Sequence, residues 1–445
     1  VAHGSVTHPI ARALAAALLI AAALFLVAVS PRGRILQFSP GVVEIHSEML
    51  IGAHTEVRGS PGTVLRAAAD FQGRALIVVS GDDTLLRDFS VDGDRAGLEV
   101  RTGLPSYDTP FARFTRANGV LAEAASRLRI QDVRFRNIAG FAILVSHSRD
   151  VAIDRVEVRD SGGRNAAGRN NGTGGILLEE GAVDFSVTNC DLRNIRGNGV
   201  WTHSLYTSPR NARGLFAGNH FDTIGRDAIQ VGHATDIRVE GNQGTHIGFP
   251  PADVDVEGRA IPVAIDTAGN VEHSSYSRNQ FFEIDGKCID LDGFHDGEVR
   301  GNVCVNRGRL EQYPFGNYGI VMNNSNPDMQ SERVRIEENL IDGTLFGGIF
   351  VIGSGNVVVR NRLLNLNLAH CNEEAAKFGC YYAAGEPGML RSGIYLGQRA
   401  ERPAPARGNL VEDNEITGFK MAERCIGGAP GIRPEWNTVR GNRCQ

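Results

Sequence analysis

The chain has 445 residues, 42% of them hydrophobic and 54 of them glycine, with a formal net charge of −5. That is ample apolar material for a large core, and no dense basic patch is present to neutralise a phosphate backbone, which argues against nucleic acid as a partner. Only three of the 46 basic residues are lysines (Lys287, Lys377 and Lys420), a bias that codon usage in a GC-rich genome explains.

At the N-terminus, Arg12 precedes an apolar run from Ala13 to Val29, which Ser30-Pro31-Arg32-Gly33-Arg34 follows. We read residues 1–30 as a signal peptide, or alternatively as an uncleaved N-terminal membrane anchor. Either reading places residues 31–445 outside the cytoplasm, as one domain. The seven cysteines suit an oxidising compartment. Proximity in sequence suggests the pairs Cys371–Cys380, Cys425–Cys444 and Cys288–Cys304, which would leave Cys190 free. No cysteine has histidine partners at zinc-site spacing.

Beyond about residue 70 a short unit recurs. A small residue leads into an aliphatic–x–aliphatic strand, then come a turn and a second short strand closing on Asn or Asp. Lead strands begin at Gly140, Gly175, Gly199, Ala228, Ala260, Cys288, Gly319, Gly348 and Gly393, at a spacing of roughly 24 to 35 residues for most. Units this short cannot bury their own apolar faces, so they must stack. Period-two alternation rich in β-branched residues excludes helical repeats, and no long amphipathic helix supplies crossovers. The expected fold is all-β, a right-handed parallel β-helix. The recurrent turn asparagines suit left-handed backbone positions and can bond to the next coil's asparagine.

Pro40-Gly-Val-Val-Glu-Ile45, Val57-Arg-Gly59, Gly62-Thr-Val-Leu65 and Leu85-Leu-Arg-Asp-Phe-Ser-Val-Asp-Gly93 resemble the opening coils of pectate-lyase-like β-helix proteins. The resemblance runs from about residue 38 to the end. It implies the architecture and a polysaccharide as partner, but the superfamily spans hydrolases, lyases, epimerases, tailspikes and adhesins.

Residues between the inward aliphatics point outward and form columns when coils stack about 4.8 Å apart. Reading along the chain, the outward or strand-exit residues are Glu179, Trp201, His203, Asp227, Gln230 and His233. Arg259, Asp266, the Lys287 to Asp296 segment, Asn323 and Tyr395 follow. The densest stretch is Lys287-Cys-Ile-Asp290-Leu-Asp292-Gly-Phe-His295-Asp296. Asp290 and Asp292 share a face with Cα atoms about 6.6 Å apart, a carboxylate pair suited to glycoside hydrolysis. The same pair could hold Ca²⁺ with Asn323 or backbone oxygens. Trp201 and Tyr395 are expected as platforms for sugar rings; Glu179, His203, Asp227, Gln230, His233, Arg259 and Asn323 are expected to contact substrate.

The signature strings of polygalacturonases and of the best-known pectate lyases are broken or absent. Asp292-Gly-Phe-His295-Asp296 is loosely similar to a mannuronan epimerase motif, which would imply His295 as a base beside a uronate carboxylate neutralised by Lys287 or Arg259. A glycoside hydrolase is the first expectation, with a lyase or epimerase and a non-catalytic glycan-binding protein as alternatives. The inserts near 100–117, 243–258, 366–390 and 398–408 are expected to wall the groove.

Overall fold

The computed structural model describes residues 25–30, 33–101, 103–170, 173–255, 261–371, 380 and 385–445. Within them the chain winds as a right-handed parallel β-helix whose coils each add one strand to three ladders. The first ladder runs from Met49–Ile51 to Ile426–Gly428, the second from Gly33–Phe38 to Thr438–Arg440, and the third from Gly41–Ile45 to Arg443–Cys444. Pairing between successive coils is parallel throughout these ladders. Strand Phe25–Ser30 is the exception, lying antiparallel to Gly33–Phe38 against the first coil. It falls within the segment read as a signal or anchor, whose residues 1–24 lie outside the described residues. No helix among the described residues is long and apolar enough to cross a membrane.

The sequence period becomes the core directly. Ile176, Val200, Ile229, Ile265, Ile289, Ile320, Ile349 and Ile394 stack in register and are each almost wholly buried. Each coil buries its apolar face only because the next coil covers it. One expected strand is out of register. Ala260-Ile-Pro-Val263 was to stack on Ile229, but Ile265 does so, because strand Val263–Glu272 starts only after Pro262. Proline has no N–H to give to a ladder, so the coil advances to the first tract that can pair.

A buried asparagine ladder closes the turn after the second ladder. Side-chain amides of Asn219, Asn242, Asn279, Asn302, Asn339, Asn361 and Asn414 each donate to the Oδ1 of the next coil's asparagine, at 2.8–3.0 Å. The left-handed residue is the one before each asparagine, as at Gly218, Arg278 and Glu338, rather than the asparagine itself. Asparagine is needed for its paired donor and acceptor, and the preceding position for its backbone. The disulfides are Cys288–Cys304, Cys371–Cys380 and Cys425–Cys444, and Cys190 is buried and free, as spacing suggested.

Candidate active site

The register that follows Pro262 determines what faces outward on the first ladder. Trp201, Gln230, Asp266, Asp290, Val321, Phe350 and Tyr395 form one column, one residue per coil. Glu179 and His203 head the neighbouring column, and Ala268, Asp292 and Asn323 continue it further along. Asp266 is among the residues expected on the outer face, with no role assigned to it from the sequence. In the fold it faces Gln230 on one side and Asp290 on the other.

These residues form one polar network. Asn198 donates to Gln230 Oε1 at 2.6 Å, and Gln230 Nε2 donates to Asp266 Oδ2 at 2.7 Å. Lys287 Nζ bonds Asp290 Oδ2, and Asp290 Oδ1 is buried without a partner among the described residues. Asp227 accepts the Val263 N–H at 2.9 Å. Asp227, Asp266 and Asp290 are respectively 3%, 9% and 6% exposed; the Lys287 ammonium acts on all three, and Arg226 acts on Asp227 as well. Burial raises the pKa of Asp266 well above the usual carboxylate range, and the charges of Asp227 and Asp290 add to it. Burial also raises Asp227. Burial opposes the charge of Lys287, but Asp290, Asp266 and Asp292 hold its pKa above the ordinary value. Burial and mutual repulsion thus favour the protonated form of Asp266 over that of an ordinary carboxylate.

The expected partners Asp290 and Asp292 lie on one strand and feel each other's charge, but their hydrogen bonds run to different neighbours. Asp292 turns to the loop after the next strand, accepting Ser325 N–H at 2.8 Å and Ser325 Oγ–H at 2.5 Å. Burial lifts its pKa to about 6, against the Ser325 bonds. The carboxylate facing Asp290 comes from the adjacent coil. Asn323 sits in register beside Asp292, and its Oδ1 accepts the Asn324 N–H at 2.9 Å. His295 is buried, with Nδ1 2.7 Å from Asp296 and Nε2 2.9 Å from Asn270. Both ring nitrogens are thus engaged in holding the strand end.

Of the two expected platforms, Trp201 is partly covered and Tyr395 is buried. Trp201 packs edge-on against Phe111, with ring centroids 4.9 Å apart, and lies near Phe141. The cause is Glu179, whose carboxylate accepts the N–H groups of Phe111 and Ala112 at 2.9 and 2.8 Å and so pins the one-turn helix Phe111–Phe114 over the indole. Glu179 is itself 0% exposed and does not line an open groove. Tyr395 is 1% exposed, stacked on Phe350 and covered by the segment around Gly388. His203 stands beside Trp201 and Phe111, and burial lowers its pKa to about 4. His233 packs on Tyr206, with its pKa also lowered by burial. Arg259 lies outside the described residues.

Between these covered ends a cleft of about 830 Å³ opens on the outer face. Lys287, Val321, Asn323 and Phe350 line it, and Phe315, Phe346, Glu386, Met389 and Arg399 stand around them. The inserts at 366–390 and 398–408 therefore contribute walls, as expected. The described part of 243–258 packs instead on the 164–170 turn through Arg164–Asp253 and Asn170. The 324–329 turn, beyond the cleft lining, is tied by Asn326 to Tyr206 at 2.8 Å.

A family model described as "Right handed beta helix region" matches residues 118–248 and 164–364, together more than half the chain. No curated protein matches at the sequence level. Among solved structures, PfbA, a surface adhesin of Streptococcus pneumoniae, is similar at 13% identity and a TM-score of 0.53, covering 75% of this chain and 84% of that one. An exopolygalacturonase from Thermotoga maritima is similar at 12% identity and a TM-score of 0.52, covering 73% and 82% respectively. The catalytic domain of an α-1,3-glucanase is similar at 12% identity and a TM-score of 0.51, where the match covers 92% of this chain but 64% of that one. These likenesses concern the fold. The chain belongs to the right-handed β-helix family.

Proposed function

We propose that this protein is an exported glycoside hydrolase, with Asp266 as general acid and Asp290 as base or nucleophile. The observation that carries the reading is the in-register, buried Asp266–Asp290 pair, joined to the cleft through Lys287, which lines it and bonds Asp290. Glycosidic cleavage needs one carboxyl that keeps its proton and one that stays ionised. Asp266, crowded by Asp227 and Asp290, suits the first role; Asp290, ion-paired with Lys287, suits the second. Gln230 orients Asp266, and Val321 and Phe350 offer an apolar floor to a sugar ring. Three disulfides are consistent with an oxidising compartment. A lyase or epimerase reading has less support, because Lys287 is tied to Asp290 and both nitrogens of His295 are occupied.

The test is to incubate the purified protein with a panel of neutral and acidic polysaccharides, reading reducing ends and ultraviolet absorbance together. Reducing ends without absorbance are expected, with a loss of about 10²–10⁴-fold in Asp266→Asn and in Asp290→Asn. An unsaturated product, or wild-type activity in both variants, defeats the assignment.

A further inference from the structure

Glu179, Glu180 and His203 belong to no part of the hydrolytic cluster, yet a carboxylate oxygen of each glutamate and a ring nitrogen of His203 lie within 4.8 Å of one another. Glu179 and Glu180 are 0% and 2% exposed. Among the described residues neither carboxylate has an ion-pair partner, whereas Lys287 serves the aspartates and Arg210 serves Glu272. A buried carboxylate stays ionised only beside a cation or a metal ion, and otherwise holds a proton.

A second observation points the same way. Nδ1 of His203 is fully buried and has no hydrogen-bond partner, and the same is true of Nδ1 of His233. His233 is 8% exposed and close enough to interact electrostatically with both Glu180 and His203. Buried ring nitrogens are ordinarily satisfied. The carboxylates are also held in place: Phe111 and Ala112 N–H groups fix Glu179, and Leu205 N–H fixes Glu180 at 2.9 Å. Each oxygen keeps a further lone pair for a ligand, and such outer bonds are what orient metal-binding side chains.

We propose that Glu179, Glu180 and His203 bind a divalent transition-metal ion, of the Zn²⁺ or Mn²⁺ kind, on the outer face of the first ladder. Imidazole with carboxylates suits these ions better than Ca²⁺, which takes oxygen ligands alone. The ion would join the anchor of the Phe111 helix to that of the Leu205 loop, bracing the wall beside Trp201.

The test uses the full chain stripped with chelator and then dialysed against Zn²⁺, Mn²⁺ or Ca²⁺, with bound metal counted per protein. One equivalent of Zn²⁺ or Mn²⁺ is expected, weakened about 10–100-fold or more in Glu180→Gln and in His203→Ala. Asp290→Asn should bind as wild type, which separates this site from the proposed hydrolytic one. Circular dichroism checks that each variant is folded. Co²⁺ gives an independent readout, since an ion at His203 should quench Trp201, whose ring centroid is 5.2 Å from the imidazole. Less than stoichiometric binding in the wild type, or binding and quenching that survive His203→Ala in a folded variant, overturns the proposal. So does a preference for Ca²⁺ indifferent to that substitution.

Discussion

Asp227→Asn tests the charge logic of the aspartate cluster without removing a proposed reacting group. After burial, the Asp227 carboxylate is the largest influence raising the pKa of Asp266. The amide keeps the shape of the side chain, and its Oδ1 can still accept the Val263 N–H that Asp227 accepts at 2.9 Å. The two side chains arise on adjacent coils, so their charges are taken as about 6–8 Å apart. At an effective dielectric of about 20 that separation gives about 2–3 kcal/mol, or about 1.5–2 pH units. Asp227 is itself pushed up to about 6 by burial, against the pull of Arg226, and loses charge below that pH, which makes this an upper bound. Removing a negative neighbour makes Asp266 easier to ionise, so its pKa falls. A general acid is lost as pH rises through its pKa. The alkaline limb of kcat against pH, measured by reducing-end release, should therefore move to lower pH by about one unit or more. A carboxyl-¹³C titration of Asp266 should move the same way without any substrate. An alkaline limb that stays put, or moves up, would refute the coupling and with it the choice of Asp266 as acid.

Other consequences concern stability. Asp285 is 0% exposed, and burial pushes its pKa up to about 8. A carboxyl raised in the folded state binds its proton more tightly there than in the unfolded chain, so stability is present below about pH 4 and declines up to about pH 8. Asp285→Asn should flatten that decline and raise Tm at pH 8 by more than at pH 5, as thermal scans at both values would show. Asn302→Ala removes the acceptor of two bonds from Asn279 and the two bonds that the Asn302 amide donates to Tyr276 and Asn339. Stranding these buried groups should cost about 3–5 kcal/mol in denaturant melts, whereas exposed Arg443→Ala should cost under about 0.5 kcal/mol. Replacing Cys288 and Cys304 by serine opens a loop of sequence separation 16 and should cost about 3 kcal/mol in the same melts.

The inward half of every coil was legible in the sequence because it is enforced locally. An aliphatic at Ile229 or Ile289 must meet its counterpart one coil away, and the turn asparagines must find each other or leave buried amides unpaired. The disulfides were legible for a similar reason, since each joins cysteines close along the chain. Register was legible only where one tract could pair. Near residue 262 two tracts competed, and the missing N–H of Pro262 decided between them. That one choice moved Asp266 opposite Asp290 and replaced a pair along one strand with a pair across two.

The outward half obeys a different rule. Whether Trp201 or Tyr395 meets solvent depends on chain that lies far away in sequence and follows no period. Phe111 partly covers the first because Glu179, on an adjacent coil, captures two N–H groups of its helix. The segment near Gly388 covers the second. A solenoid repeats its core but not its inserts, so the pattern that reveals the fold carries no information about which coils stay open. In this chain the cleft opens at Lys287, Val321, Asn323 and Phe350, between the buried aspartates on one side and the Tyr395 cover on the other. Glu179 is thus more consequential as an anchor than as a groove residue. Releasing it, by Glu179→Ala, should free the Phe111 helix and shift Trp201 fluorescence to the red. An unchanged emission maximum would mean that Phe111 holds its place by packing alone.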